Sequence, residues 1–175
     1  AGNGSYDGGE AYTVGDAPPF VVSVKRASND PTNGSAPIDF TVTFSEPVTG
    51  VDAGDFELTV AGAPGGAIVT PIAAPSGPVY TISVDAIVGE GTIRLDVLDD
   101  GTIEDADSPG LFLSGDGGSG DGEYRSGEAH TIDMTPPVVS SVAFVEADPT
   151  GAERITFLVT FSEDVTGVDL GDFDL

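Results

Sequence analysis

The sequence predicts an all-β fold, an antiparallel β-sandwich with about seven short strands per unit. Three observations carry this expectation. Apolar and polar residues alternate with a period of two in several stretches. The 25 glycines and 13 prolines cut the chain into pieces too short for long helices. No segment sustains an apolar stripe at the helical period. A closed barrel is the alternative architecture, disfavoured because the strands are few and unequal in length.

The first strand is predicted from Phe20, Val22 and Val24, and the turn sequence SNDPTNG follows it. Ile38, Phe40, Val42 and Phe44 then alternate with Asp39, Thr41, Thr43 and Ser45, which gives a half-buried strand with one face inward. Residues 56–60 form a weaker candidate, closed by AGAPGG, and residues 67–72 another, closed by APSGP. Tyr80, Ile82 and Val84 make a clear strand that ends at VGEG, and Ile93, Leu95 and Val97 make the next. The glycine-rich run SGDGGSGDG precedes a last short candidate at residues 129–132. Leu111, Phe112 and Leu113 stand apart, read either as an additional edge strand or as an exposed patch that docks a neighbouring chain.

The chain also repeats itself. FTVTFSEPVTGVDAGDFEL at residues 40–58 returns as FLVTFSEDVTGVDLGDFDL at residues 157–175, with fifteen of nineteen positions identical and an offset of 157 − 40 = 117. A second match joins residues 2–19 to residues 120–137 at an offset of 118, and one deletion reconciles the two. A repeat of this length is a normal domain size. Residues 1–17 are therefore expected to be the tail of one unit, 18–135 a complete unit, and 136–175 the first third of the next, as a window on a longer tandem array. Pro18–Pro19 and Pro136–Pro137 sit at the unit boundaries, where paired prolines restrict the backbone to extended conformations and stiffen the hinge.

The TFSE-VTGVD-GDF block, the YTISV strand, the acidic stretch GTIRLDVLDDGTIEDADSPG and the TPP junction together resemble the bacterial immunoglobulin-like repeats of large extracellular surface and adhesin proteins. The resemblance spans essentially the whole chain. It implies display at the cell surface in tandem arrays, often with calcium stiffening the junctions, and no particular ligand.

Charge limits the partners. Five Lys and Arg against thirty Asp and Glu give a formal net charge of −25, a surface that repels nucleic acid and anionic lipid and attracts cations. No apolar run approaches the roughly 18–20 residues needed to cross a bilayer as a helix. With no cysteine, disulfides, thiolate metal sites and a cysteine nucleophile are excluded. The absence of Trp leaves little to stack against a sugar ring, and no nucleophile–base pair or phosphate-binding loop is visible, so the expectation is a protein that is not an enzyme.

Between Asp96 and Asp133 lie eleven acids, and within that stretch only Arg125 opposes them. Two carboxylates about 4 Å apart repel by roughly 1 kcal/mol even in water, so packing such a segment calls for a counter-ion. Calcium suits oxygen ligands in loose geometry. The candidate ligands are Asp99, Asp100, Glu104, Asp105 and Asp107 in the acidic stretch, with Asp133 at the linker and Glu46 at the end of a strand, as a junction ligand. The order of acids is not that of an EF-hand loop, and a solvated acidic face is the competing interpretation. Asp52 and Asp55 recur as Asp169 and Asp172 and are expected to cap the turn before Phe56 rather than to bind a ligand. His130, the single histidine, has Tyr12 as its counterpart and is expected on a strand surface.

These readings converge on a non-catalytic structural module of a long extracellular protein or fibre, stiffened by calcium, whose partners are neighbouring repeats of the same or identical chains. The alternatives are a ligand-binding adhesin module for a glycan or surface, and a self-assembling filament or surface-layer subunit.

Overall fold

The computed structural model describes residues 17–69, 72, 77–114, 122–145, 151 and 153–174. Among these the fold is all-β, with two short 3-10 turns as its only helical elements. The described residues fall into two compact units, up to Met134 and from Thr135.

In the first unit, one sheet is built from β1 (Val21–Arg26), β2 (Ile38–Phe44), β6 (Val79–Val88) and β5 (Gly65–Ile68), in that spatial order and antiparallel throughout. A second contains β4 (Phe56–Gly62), β7 (Gly91–Val97) and β9 (Ala129–Ile132), also antiparallel. Two-residue strands β3 (Val48–Thr49) and β8 (Glu104–Asp105) pair with one another. The alternation of β2 is realised without exception: Ile38, Phe40, Val42 and Phe44 are buried, and the residues between them are half-exposed. Tyr80, Ile82 and Val84 of β6 and Ile93, Leu95 and Val97 of β7 join them in one apolar cluster, closed by Phe56 and Ile132. Each such side chain contributes roughly 1.5–3 kcal/mol by leaving water, which is why alternation in sequence becomes sidedness in the sheet. The Phe44 and Tyr80 rings meet edge to face at 5.6 Å. Buried among apolar neighbours, the Tyr80 hydroxyl donates to the Val48 carbonyl at 2.8 Å and so ties β6 to β3.

Two strands depart from simple alternation. In β1 only Val24 is buried, whereas Phe20 and Val22 are exposed, contrary to the expectation that all three face inward. The cause is a register shift between Val21 and Ser23 in the pairing with β2, a bulge that turns the strand's start outward. In β6 the inward positions change phase after Val84, so that Ile87 rather than Ala86 is buried. Ala86 has a φ of 52°, a left-handed conformation that lets the strand slip by one residue opposite β5. The apolar triplet at 111–113 forms no edge strand. Phe112 makes a single bridge to Glu104 and stays exposed, while Leu113 enters the core.

The second unit contains β10 (Val139–Phe144), β11 (Phe157–Phe161) and the turn Leu170–Asp172. Its hairpin has the geometry of β1–β2. Val139 pairs with Phe161 as Val21 pairs with Phe44, and the register shifts between Val139 and Ser141 as it does between Val21 and Ser23. The first strands correspond at 139 − 21 = 118 and the second at 161 − 44 = 117, so the one-residue deletion lies in the connection between them. What differs is burial. Ile155, Phe157 and Phe173 are 52%, 45% and 45% exposed, against 1%, 0% and 6% for Ile38, Phe40 and Phe56.

Candidate functional site

The acids nominated by the sequence do not gather at one point. Among the described residues no group of three or more His, Cys, Asp or Glu is arranged to hold a metal ion. They lie instead in three places.

Asp99 and Asp100 begin the loop between β7 and β8. Asp99 accepts the Gly101 and Gly122 backbone N–H groups at 3.3 and 3.0 Å. Asp100 accepts the backbone N–H of Thr102 at 3.1 Å and its hydroxyl at 2.5 Å. The same hydroxyl lies 2.9 Å from Oδ1 of Asp55, which stands in the 3-10 turn Ala53–Asp55. Here the capping expectation is met: Asp52 Oδ1 accepts the Gly54 N–H at 2.6 Å, and Asp55 Oδ2 accepts the Asp52 N–H at 2.6 Å. Asp55 is nevertheless fully buried, which a cap alone does not require. Burial pushes its carboxyl up from 3.8 to about 6, and Asp100 adds to this, while the Asp52 N–H and the Thr102 hydroxyl oppose it. Asp100, which is exposed, is held below its ordinary value chiefly by the Thr102 hydroxyl. One hydroxyl proton thus sits between two carboxylates and can be donated to only one of them.

Glu104, Asp105 and Asp107 form the second place. Glu104 accepts the Gly110 N–H at 2.9 Å. Asp105 Oδ1 accepts the Asp107 and Ser108 N–H groups at 2.7 and 3.1 Å, so Asp107 enters through its backbone in the turn that Asp105 caps. Oδ2 of Asp105 is buried without a hydrogen-bond donor. Glu46 lies on the adjoining segment, since the carbonyl of Pro47 accepts the Ala106 N–H at 3.1 Å. A buried carboxylate oxygen lacking a donor is costly, and a cation is one way to satisfy it. Asp105 is therefore the nominated acid whose surroundings leave room for a cation, and Glu46 precedes the residue that bonds to its neighbour Ala106.

Asp133 is the third place. It follows β9, and its backbone N–H donates to the Thr32 carbonyl at 2.9 Å.

Asp96, counted among the acids, has a structural role. It is buried on β7 and bonded to Arg94 at 2.6 and 2.9 Å and to the Thr59 hydroxyl at 2.6 Å, with Arg125 at 3.7 Å. Burial pushes its carboxyl up, but these partners outweigh that and hold it below its ordinary value. Arg94 lies two residues before Asp96, where the count of opposing charges begins, so that count passes over it.

His130 corrects an expectation. It is not on a strand surface but fully buried on β9, edge-on to Phe40 at 5.2 Å. No sequence signal marks this, because a four-residue strand bears too few positions to show which face is inward. Compared with known proteins, the chain matches no family model, no curated protein and no solved structure.

Proposed function

We propose that the chain is a non-catalytic structural module, built of tandem immunoglobulin-like β-sandwich units in a long extracellular bacterial surface protein, where it spaces or builds an adhesive fibre. The observation that carries this reading is the recurrence of one hairpin and one capped turn in both units, with the same bulge and the same reciprocal aspartate bonds. A scaffold copied in this way serves length and stiffness more directly than recognition. Chains carrying one, two and three copies of residues 18–135 test it by small-angle scattering. The maximum dimension should rise by a constant increment per copy; a dimension that stays flat removes the spacer role.

Calcium belongs to this proposal through Asp105 and Glu46, with Asp99, Asp100, Glu104, Asp107 and Asp133 as the further candidate ligands. For an extracellular-grade affinity of about 0.1–1 mM, about 1 mM calcium adds about 0.4–1.4 kcal/mol of stability. Thermal melts in chelator and in calcium check this. The change Asp105→Asn keeps an acceptor for the Asp107 and Ser108 N–H groups and removes the charge. It should melt no lower than the parent in chelator and lose the calcium-dependent gain. An equal gain in both proteins excludes Asp105 as a ligand.

The filament reading has one observation in its favour, the exposed apolar side chains of β10 and β11, including Val142, Phe144, Phe157 and Leu158. Sedimentation of the purified chain with calcium distinguishes it, since a filament subunit forms concentration-dependent polymers and a spacer remains monomeric.

A further inference from the structure

His130 is 0% exposed, and neither ring nitrogen has a hydrogen-bond partner. The surrounding groups can be named element by element. β7 contributes Ile93, which pairs with His130 across the sheet, and β2 contributes the Phe40 ring. The nearest carboxylate is Asp30 on the β1–β2 connection, with Oδ1 3.6 Å from Nδ1. Arg26 of β1 is the nearby cation. Asp39 presents its carbonyl to this side, while its carboxylate takes the Ser83 hydroxyl at 2.5 Å.

Asp30 is already committed. Oδ1 accepts the Thr131 N–H at 2.6 Å, and Oδ2 is paired with the Arg26 guanidinium. Arg26 in turn lies 3.6 Å from Glu128 and 3.2 Å from the Ala129 carbonyl. An imidazolium at position 130 would carry two N–H groups, for which the surroundings offer only the Asp39 carbonyl and an Asp30 Oδ1 that already holds the Thr131 N–H, and it would face a neighbouring guanidinium. Its strand has a soft way out. Beyond the β7 ladder, the end of β9 is tied to the β1–β2 connection by two backbone bonds, Thr32 N–H to the Thr131 carbonyl at 3.0 Å and Asp133 N–H to the Thr32 carbonyl at 2.9 Å.

We propose that His130 is a pH-sensitive latch: neutral, it lets β9 close over the core, and protonated in acid, it releases β9 and the segment leading out of the first unit. Burial, the largest influence, and Arg26 push its pKa down from 6.5, while the Asp39 carbonyl and Asp30 pull the other way and lose. With a folded value below the unfolded one, the stabilising contribution is complete above pH 6.5 and is lost as pH falls below it toward the folded pKa. Each unit of depression multiplies the unfolding constant about tenfold at low pH.

The single histidine makes the test clean. Its imidazole is followed by NMR in the full chain, with an expected pKa below 6.5. His130→Phe provides the second arm. The parent's unfolding constant, divided by the variant's, should be constant above pH 7 and rise steadily as pH falls from 6.5 to 5, by at most about sixteenfold. Amide exchange, corrected for its intrinsic pH dependence, should accelerate at Thr131 and Ile132 more than at Ile82 and Val84. An imidazole pKa at or above 6.5, or a flat ratio, overturns the proposal. Equal acceleration in β9 and β6 overturns the latch, because the strand would then not open ahead of the unit. If the phenylalanine variant does not fold, the NMR and exchange measurements on the parent decide alone.

Discussion

Asp55 shows how much a residue's meaning depends on its neighbours. The motif VDxGDF occurs twice and makes the same capped turn both times, yet Asp55 is buried while Asp172 is exposed. Burial comes from the β7–β8 loop, which lays Asp100 and Thr102 over the first turn. Because the folded pKa of Asp55 is raised, its contribution to stability is complete below 3.8 and is lost as pH climbs through about 6. At neutral pH an ionised Asp55 competes with Asp100 for one hydroxyl proton. The substitution Asp55→Asn supplies the missing donor, and we expect it to stabilise the first unit at pH 7.5 by on the order of 1–3 kcal/mol. The gain should shrink below pH 6, which urea unfolding at pH 7.5 and 4.5 measures. This dependence runs opposite to that of His130, so the two groups are separable by variant.

Elements were legible in proportion to how many alternating positions they carry. β2, β6 and β7 stand out because three or four consecutive inward positions are apolar. β3 and β8 were invisible: two residues have no period, and their pairing joins segments more than fifty positions apart. The apolar pattern reveals β1 but not its inward face, because a bulge shifts register without changing that pattern. Of the candidate site, the acids were legible by composition, but their division among three places depends on loop packing. Gly50 and Gly167 make the same point about loops. Both have positive φ, +84° and +80°. A Cβ on Gly50 would meet the Thr102 carbonyl oxygen at 2.0 Å, whereas one on Gly167 meets nothing within 4 Å. Gly50→Ala should therefore cost about 3 kcal/mol or more, from left-handed strain and from displacing the β7–β8 loop. Gly167→Ala should leave unfolding of the first unit unchanged, and equilibrium denaturation of both variants compares them.

At the scale of the whole molecule, the two units differ in completeness. The first encloses a core fed by both its large sheets, and the second presents one hairpin whose apolar side chains are largely exposed. A chain ending at Met134 should keep the melting temperature of the first unit within about 2 °C, since among the described residues its core cluster lies entirely at or before that point. Residues 135–175 alone should show no cooperative melt, because a two-stranded hairpin without a covering layer is marginal in water. Calorimetry of the two pieces decides both.

The sequence by itself determined the all-β class, the principal strands and the capped turns. These follow from local rules: the two-residue pleat, the backbone freedom of glycine and the short reach of an aspartate side chain. Only the tertiary structure decided that Asp55, Asp105 and His130 are buried, that Arg94 neutralises Asp96, and that the nominated acids stand apart. Burial and charge pairing depend on which distant segments close over a residue, and a local pattern holds no record of that.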